Sequence, residues 1–281
     1  MKSDILELFA YPTELIDKYD WKDVINGQKC LYLGKKCLKN RKSEPEVAIG
    51  SCTIRYGKED KFVIICPHRL LEKRRIFTDC LHLLTLHEPG NDLHVVSELS
   101  IPGGSVDYFL VSAKKKKVQD FVGIELQSID TTGSVWEERE RLFQILRKDA
   151  SAKEEGTGGY GINWKMTAKT TLLQLHHKIE TFEHINKHLV LVMQDHLLNY
   201  MDREFSFDHV TSARIGDPMH FHAYSLLQEE DGYHIQLAKR ISTDMAGISK
   251  CLGLKTEAKL ELEEIIGIIE AKLSDETLIK L

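Results

Sequence analysis

Residues 105–130, SVDYFLVSAKKKKVQDFVGIELQSID, decide how the chain is read. Two apolar runs flank four consecutive lysines, Lys114, Lys115, Lys116 and Lys117. Runs joined by a short polar loop are expected to pair as an antiparallel hairpin. Alternate residues of a strand share a face. Glu125 and Gln127 therefore stand on one face of the second strand, with Val122, Ile124 and Leu126 on the other. Pairing can bring Asp107, in the first run, beside Glu125. Two adjacent carboxylates repel, and burying them costs several kcal/mol unless a positive group joins them. A hard divalent cation is the simplest partner, and carboxylate oxygens suit Mg²⁺. Glu98, on the segment entering the hairpin, could supply a further carboxylate. The plainer alternative is that these acids only form salt bridges to lysines.

Outward from the hairpin, 134–148 reads as a helix with Ser134 as N-cap and Glu137 three residues on, a capping-box spacing. Residues 165–186 read as a long helix, with Leu172, Leu175, Ile179, Phe182 and Ile185 at helical spacing. HLVLVMQ (188–194) is a short continuous apolar run, as expected of a buried strand. Residues 219–227 read as another strand. Upstream, 1–25 reads as one or two helices and 69–85 turns helical. Near the C-terminus Leu262, Ile266, Ile269 and Leu273 form a stripe on a helix capped near Thr256, a core or dimer face. Together these elements predict an α/β or α+β protein, a mixed sheet flanked by helices.

The 281 residues are 42% hydrophobic and 29% charged, a globular composition. Net charge is −5, so nothing global announces a nucleic acid, though the relevant field is local. Three segments are basic: Lys35, Lys36, Lys39, Arg41 and Lys42; Arg69, Lys73, Arg74 and Arg75; and the four hairpin lysines. Each reads as a solvated surface or as a phosphate-binding one. The N-terminus lacks the basic start and apolar core of a signal peptide. No apolar run approaches the ~20 residues of a membrane helix. The expectation is a cytoplasmic protein with no membrane contact, whose cysteines are thiols or metal ligands rather than disulfides.

Cys30, Cys37, Cys52 and Cys66 fall in one loop-rich segment without a C-x-x-C pair, so their spacing alone is a weak metal signal. Cys80 and Cys251 read as core thiols. His220 and His222 would share a strand face, and read as a strand-edge or DNA-contacting pair. His177, His184 and His188 read as partly buried polar residues. The loop GTGGYGINWK lacks the P-loop order. Gly156, Gly158 and Gly161 match G-x-G-x-x-G, but no strand leads into them. With Tyr160, Trp164 and Lys165 they fit a loop that orders on DNA or a plain surface loop.

An acid on one strand and a second acid on the next resembles the catalytic core of the PD-(D/E)xK nucleases. Here Gln127 stands where lysine is usual, and glutamine is neither charged nor a base. Over a longer span, KCLYLGKKCLKN, IGSC, ICPHRLLE, IPGGSVDYFLV, DFVGIELQSIDTTGS, YGINWKMTAK and LVLVMQD resemble the NotI family of type II restriction endonucleases. They cover most of residues 29–195. The resemblance implies a homodimeric, Mg²⁺-dependent enzyme cutting palindromic double-stranded DNA, with a restriction-endonuclease-like core. It implies that Glu98, Asp107, Glu125 and Gln127 are the active-site positions, Asp107 and Glu125 holding Mg²⁺. It also implies a structural iron held by Cys30, Cys37, Cys52 and Cys66; zinc accepts the same four sulfurs. His68 could replace one ligand. The expected organisation is a cysteine-rich metal-binding module with N-terminal helices over 1–68, a nuclease core over 69–230 and a helical segment over 231–281. Two alternatives stay open: another nuclease of the superfamily (nicking, repair or junction-resolving), or a metal-stapled DNA-binding protein with an inactive nuclease core.

Overall fold

A computed structural model describes residues 3–147, 159–253 and Ile266. The capping residue Thr256, Leu262, Ile269, Leu273, Gly156 and Gly158 lie outside the described residues. The fold is mixed α and β, built on a seven-stranded sheet. Its principal strands are β4 (Asp92–Ile101), β5 (Gly104–Lys114), β6 (Lys117–Gln127), β7 (His188–Gln194), β8 (Met219–Glu229) and β9 (Gly232–Thr243). From one edge the order is β4, β5, β6, β7, β8, β9 and the short strand Thr211–Ser212. The β4–β5–β6 meander is antiparallel, β6, β7 and β8 run parallel, and β9 returns antiparallel. A smaller sheet sets Tyr11–Pro12, β1 (Ile5–Leu8), β2 (Ser51–Tyr56) and β3 (Lys61–Ile64) side by side.

The hairpin forms as its alternation predicts. Lys115 and Lys116 occupy its turn with φ of 50° and 63°. Left-handed backbone at both central residues is what a two-residue turn matched to strand twist demands. Helices α4 (Trp164–His184), α5 (Asp195–Glu204) and α6 (Met245–Cys251) supply residues to the core on one face of the large sheet. Residues 67–83 cover the other, where Leu70, Ile76, Phe77 and Leu83 meet Val122, Ile124, Val190 and Val192. β7 is therefore covered on both faces, which is why its sequence is continuously apolar. No helix among the described residues is long and apolar enough to cross a membrane.

Four expectations are corrected. Among the described residues the first element is β1, not a helix, and the helices expected over 1–25 are limited to a 3₁₀ turn, Ile16–Lys18, and α1 (Trp21–Gly27). Within β1, Glu7 is 1% exposed and bonded to Arg69, Thr53 and Tyr32. The same ion pair corrects the second basic cluster: Arg69 is fully buried between Glu7 and Glu72 rather than on the surface. Residues 67–83 are not one helix. A 3₁₀ segment, Pro67–Arg74, is interrupted by left-handed backbone at Lys73, and α2 (Arg75–Cys80) follows. Finally, α3 (Trp136–Leu146) starts later than the expected capping box. Ser134 Oγ accepts from Trp136 N at 3.1 Å, and the N-cap, Val135, offers no side-chain bond.

Candidate functional site

The β5–β6 register sets Tyr108 opposite Ile124, and one further step brings Asp107 opposite Glu125. There the ladder gives way to a side chain: Asp107 Oδ2 accepts from Leu126 N at 2.8 Å. Glu125 Oε1 accepts from Lys178 Nζ at 2.7 Å, with the two side chains only 13% and 10% exposed. Lys178 belongs to α4, and three glycines let that helix approach. A Cβ on Gly123 would lie 2.4 Å from the Phe182 ring, so Phe182 rests directly on β6. Lys178 lies one helical turn before Phe182, and Glu125 two strand residues after Gly123; the two spacings bring lysine to acid. At the β4–β5 turn, a Cβ on Gly103 would lie 2.2 Å from His177 O and one on Gly104 3.2 Å from Lys178 Cε. Thr181 Oγ1 donates to Pro102 O at 2.8 Å and ties the turn to the helix.

Burial pushes the Glu125 carboxyl up to about 7. The Lys178 hydrogen bond and charge pull it down, and the Asp107 charge pushes it up again. A buried carboxyl poised near neutrality beside a second acid and a lysine is the kind of perturbed group that marks functional sites. Gln127, also half-buried, donates Nε2 to Ser128 O at 2.6 Å. It lines a cavity of about 370 Å³ together with Lys39, Cys66, His68 and Asp130. Glu98 is exposed on the outer strand β4. The β4–β5 register sets it opposite Asp107, but its backbone is left-handed (φ 57°) and interrupts the ladder there. Glu98, Asp107 and Glu125 thus occupy three successive strands, and only the last two share a half-buried setting.

Sequence reasoning missed Lys178. Its signal was its place on α4: Leu175, Lys178, Ile179 and Phe182 form one buried stripe, so a lysine stands where the helical period calls for an apolar residue.

Cys30, Cys37, Cys52 and Cys66 are all buried free thiols. They feel one another. The Cys52 thiol holds Cys66 well below the usual thiol range, against burial and with help from His68 and Lys39. Cys52 is itself pushed up by Cys66 and burial, and Cys30 and Cys37 by burial. They are not drawn into a closed cluster. Among the described residues, the trio of metal-ligating side chains whose ligand atoms all lie within 4.8 Å is Glu229, Asp231 and His234. That trio is an ion-pair network: His234 Nδ1 bonds Glu72 at 2.6 Å and Nε2 bonds Asp231 at 2.8 Å, leaving no ring nitrogen for a metal.

The histidines fall differently from their reading. His220 and His222 are fully buried near the start of β8, an inner strand of the sheet, not at an edge or a DNA-facing surface. His177 and His184 are exposed, and His188 is half-buried at the start of β7. Trp164 stacks on Tyr200 of α5, which gives the end of the glycine-rich loop a fixed packing partner.

No family model and no curated protein matches the chain.

Proposed function

We propose that the chain is a Mg²⁺-dependent nuclease of the PD-(D/E)xK kind, a type II restriction endonuclease making site-specific double-strand breaks in palindromic DNA. The observation that carries this reading is the half-buried pair Asp107 and Glu125 on adjacent strands, with Lys178 pointing in from α4. The donor set fits a hard cation. Once the Leu126 amide and Lys178 are counted, Asp107 Oδ1 and Glu125 Oε2 carry no hydrogen bond among the described residues. Those two oxygens would hold Mg²⁺. The chemistry such an ion supplies is a more acidic water and stabilisation of charge on the leaving oxygen.

The protein's own residues do the rest. Gln127 commits its amide N–H to Ser128 O, so its Oε1 is left to accept from and orient the attacking water. It takes no proton, because an amide is not a base. Lys178 supplies, from a helix, the positive charge that Gln127 lacks. It draws the Glu125 carboxyl back toward ionisation against the cost of burial and the repulsion of Asp107. The exposed lysines Lys115 and Lys116 at the hairpin turn would meet phosphates, which positions DNA without reading its sequence. Cys30, Cys37, Cys52 and Cys66 would hold iron or zinc as a structural staple; their mutually perturbed thiols support this, and the sulfurs would have to close up on the metal.

The test is a digest of a large, fully sequenced duplex with Mg²⁺, using wild type and Asp107→Ala in parallel. Discrete fragments are expected from wild type, with the variant reduced at least ~1,000-fold, as for loss of a group that acts mainly in the transition state. DNA retarded on a gel by both proteins but cut by neither, with Mg²⁺ or Mn²⁺, would leave a binding protein with an inactive core.

A further inference from the structure

β4 is ten residues long and closes one edge of the large sheet. Among the described residues only its β5 side is paired. Leu93, Val95, Val96 and Leu99 are between 38% and 46% exposed, on both faces of the strand. A long apolar edge of this kind is a template for pairing with another chain, and proteins that do not use such edges cover or charge them. DLHVVSELSI carries Asp92 and Glu98 and no lysine or arginine, which argues against a polyanion as the occupant.

We propose that the β4 edge pairs antiparallel with the β4 edge of a second copy of the chain, about a two-fold axis at Val96. A two-fold perpendicular to the sheet keeps each face on its own side, so residues pair only with residues of the same face. Centred on Val96, the register sets Leu93 opposite Leu99 of the second copy, Val95 opposite Ser97 and His94 opposite Glu98. Shifted to Val95, it sets Asp92 against Glu98, two like charges. Shifted to Ser97, it sets Leu93 against Ile101 and Val95 against Leu99, but Glu98 against Val96. Cross-strand pairs decide between registers, and only the first sets acid against imidazole with no charge facing a like charge or an apolar residue.

The pairing stands without the nuclease reading, but it bears on it. Glu98 is opposite Asp107. The two Asp107 residues would then be three strand spacings apart across the sheet and four residues apart along it, about 20 Å in all when twist is ignored. Both acid pairs would face the same side, at a separation comparable to the width of a DNA duplex.

Sedimentation equilibrium without DNA tests the pairing on wild type, Val96→Lys, His94→Glu and His94→Glu/Glu98→Lys. Wild type is expected to be a dimer. Val96→Lys sets two ammonium groups face to face at the axis and should weaken the dimer about 100-fold, and His94→Glu alone about 10-fold. The double variant restores an opposite-charge pair and should recover wild-type affinity. All three substituted positions are exposed, so far-UV circular dichroism should report the same monomer fold throughout. A wild-type chain that stays monomeric at every concentration, a Val96→Lys dimer of unchanged affinity, or a double variant no tighter than His94→Glu overturns the proposal. None of these results depends on cleavage, so the nuclease reading stands or falls separately.

Discussion

The two faces of the large sheet bury ionisable groups in opposite ways. On the α4 face, Glu125 is met by Lys178 and neighboured by Asp107, and its carboxyl is poised near 7 between its two forms. On the opposite face, His220 and His222 are fully buried with no carboxylate bonded to either ring. His220 Nδ1 and His222 Nε2 have no hydrogen-bond partner. The other nitrogens do little more: His220 Nε2 bonds Asp217 O at 2.8 Å, and His222 Nδ1 lies 3.8 Å from Cys80 Sγ. Burial pulls His220 down to about 4, with His188 adding to it, and His222 to about 3, with Arg240 adding. One face tolerates a charge because a counter-charge was built in. The other tolerates two imidazoles because they stay neutral.

The contrast predicts opposite responses to pH, and the larger is in acid. The folded values of His220 and His222 lie below the ordinary 6.5. Their contribution is therefore fully present above pH 6.5 and is lost as pH falls from there toward 4 and 3. At about 1.4 kcal/mol per unit, the pair is worth several kcal/mol when fully titrated, a large fraction of a domain's stability. Urea midpoints should fall steeply below pH 6. His222→Leu removes one titrating ring and an unpartnered nitrogen, and should flatten that limb by about half. A variant as acid-sensitive as wild type would place the acid transition elsewhere.

The α4 face responds in the other direction. The folded value of Glu125, about 7, lies above its ordinary 4.5. Its contribution is present below pH 4.5 and is lost as pH rises through 7. Glu125→Gln should therefore stabilise the protein at pH 8 by about 3 kcal/mol relative to its effect at pH 4, before any Mg²⁺ is added. Mg²⁺ should stabilise wild type at pH 8 and leave the variant nearly unmoved, because the ion binds only the folded carboxylate. Equal stabilisation of both proteins by Mg²⁺ would remove Glu125 from the ligand set.

How legible these two faces were in the sequence differs for a physical reason. Period-two alternation announced the β5–β6 hairpin, and with it Asp107 opposite Glu125; period 3.6 announced α4. Lys178 lies 53 residues from Glu125, and nothing local ties the two. Their meeting depends on Gly103, Gly104 and Gly123 clearing space for α4, a tertiary condition that local periodicity does not express. His220 and His222 misled because H-x-H on a strand fits an exposed edge as well as a sealed centre. Only the neighbours β7 and β9 decide which, and β9, with its mixed polarity, was not foreseen. β1 failed for the same reason: Glu7 belongs to the interior only once Arg69 is there to receive it.

The finest test of the comparison is to make one face resemble the other. Lys178→Met deletes the hydrogen bond and the charge that hold Glu125 down, leaving burial and Asp107 unopposed. The carboxyl should then titrate above 7, closer to the unassisted condition of the buried histidines. Stability measured against pH should lose its alkaline step near 7 and regain it about one unit higher. Comparing Lys178→Met with Glu125→Gln and the double variant isolates the pair, because methionine packs where the lysine stem did and the remaining packing terms cancel in the cycle. Lys178→Arg keeps the charge and should leave the step near neutrality. If all three lysine-site proteins titrate alike, Lys178 is only filling space over Gly104, and the charge that compensates Asp107 and Glu125 must come from a bound cation alone.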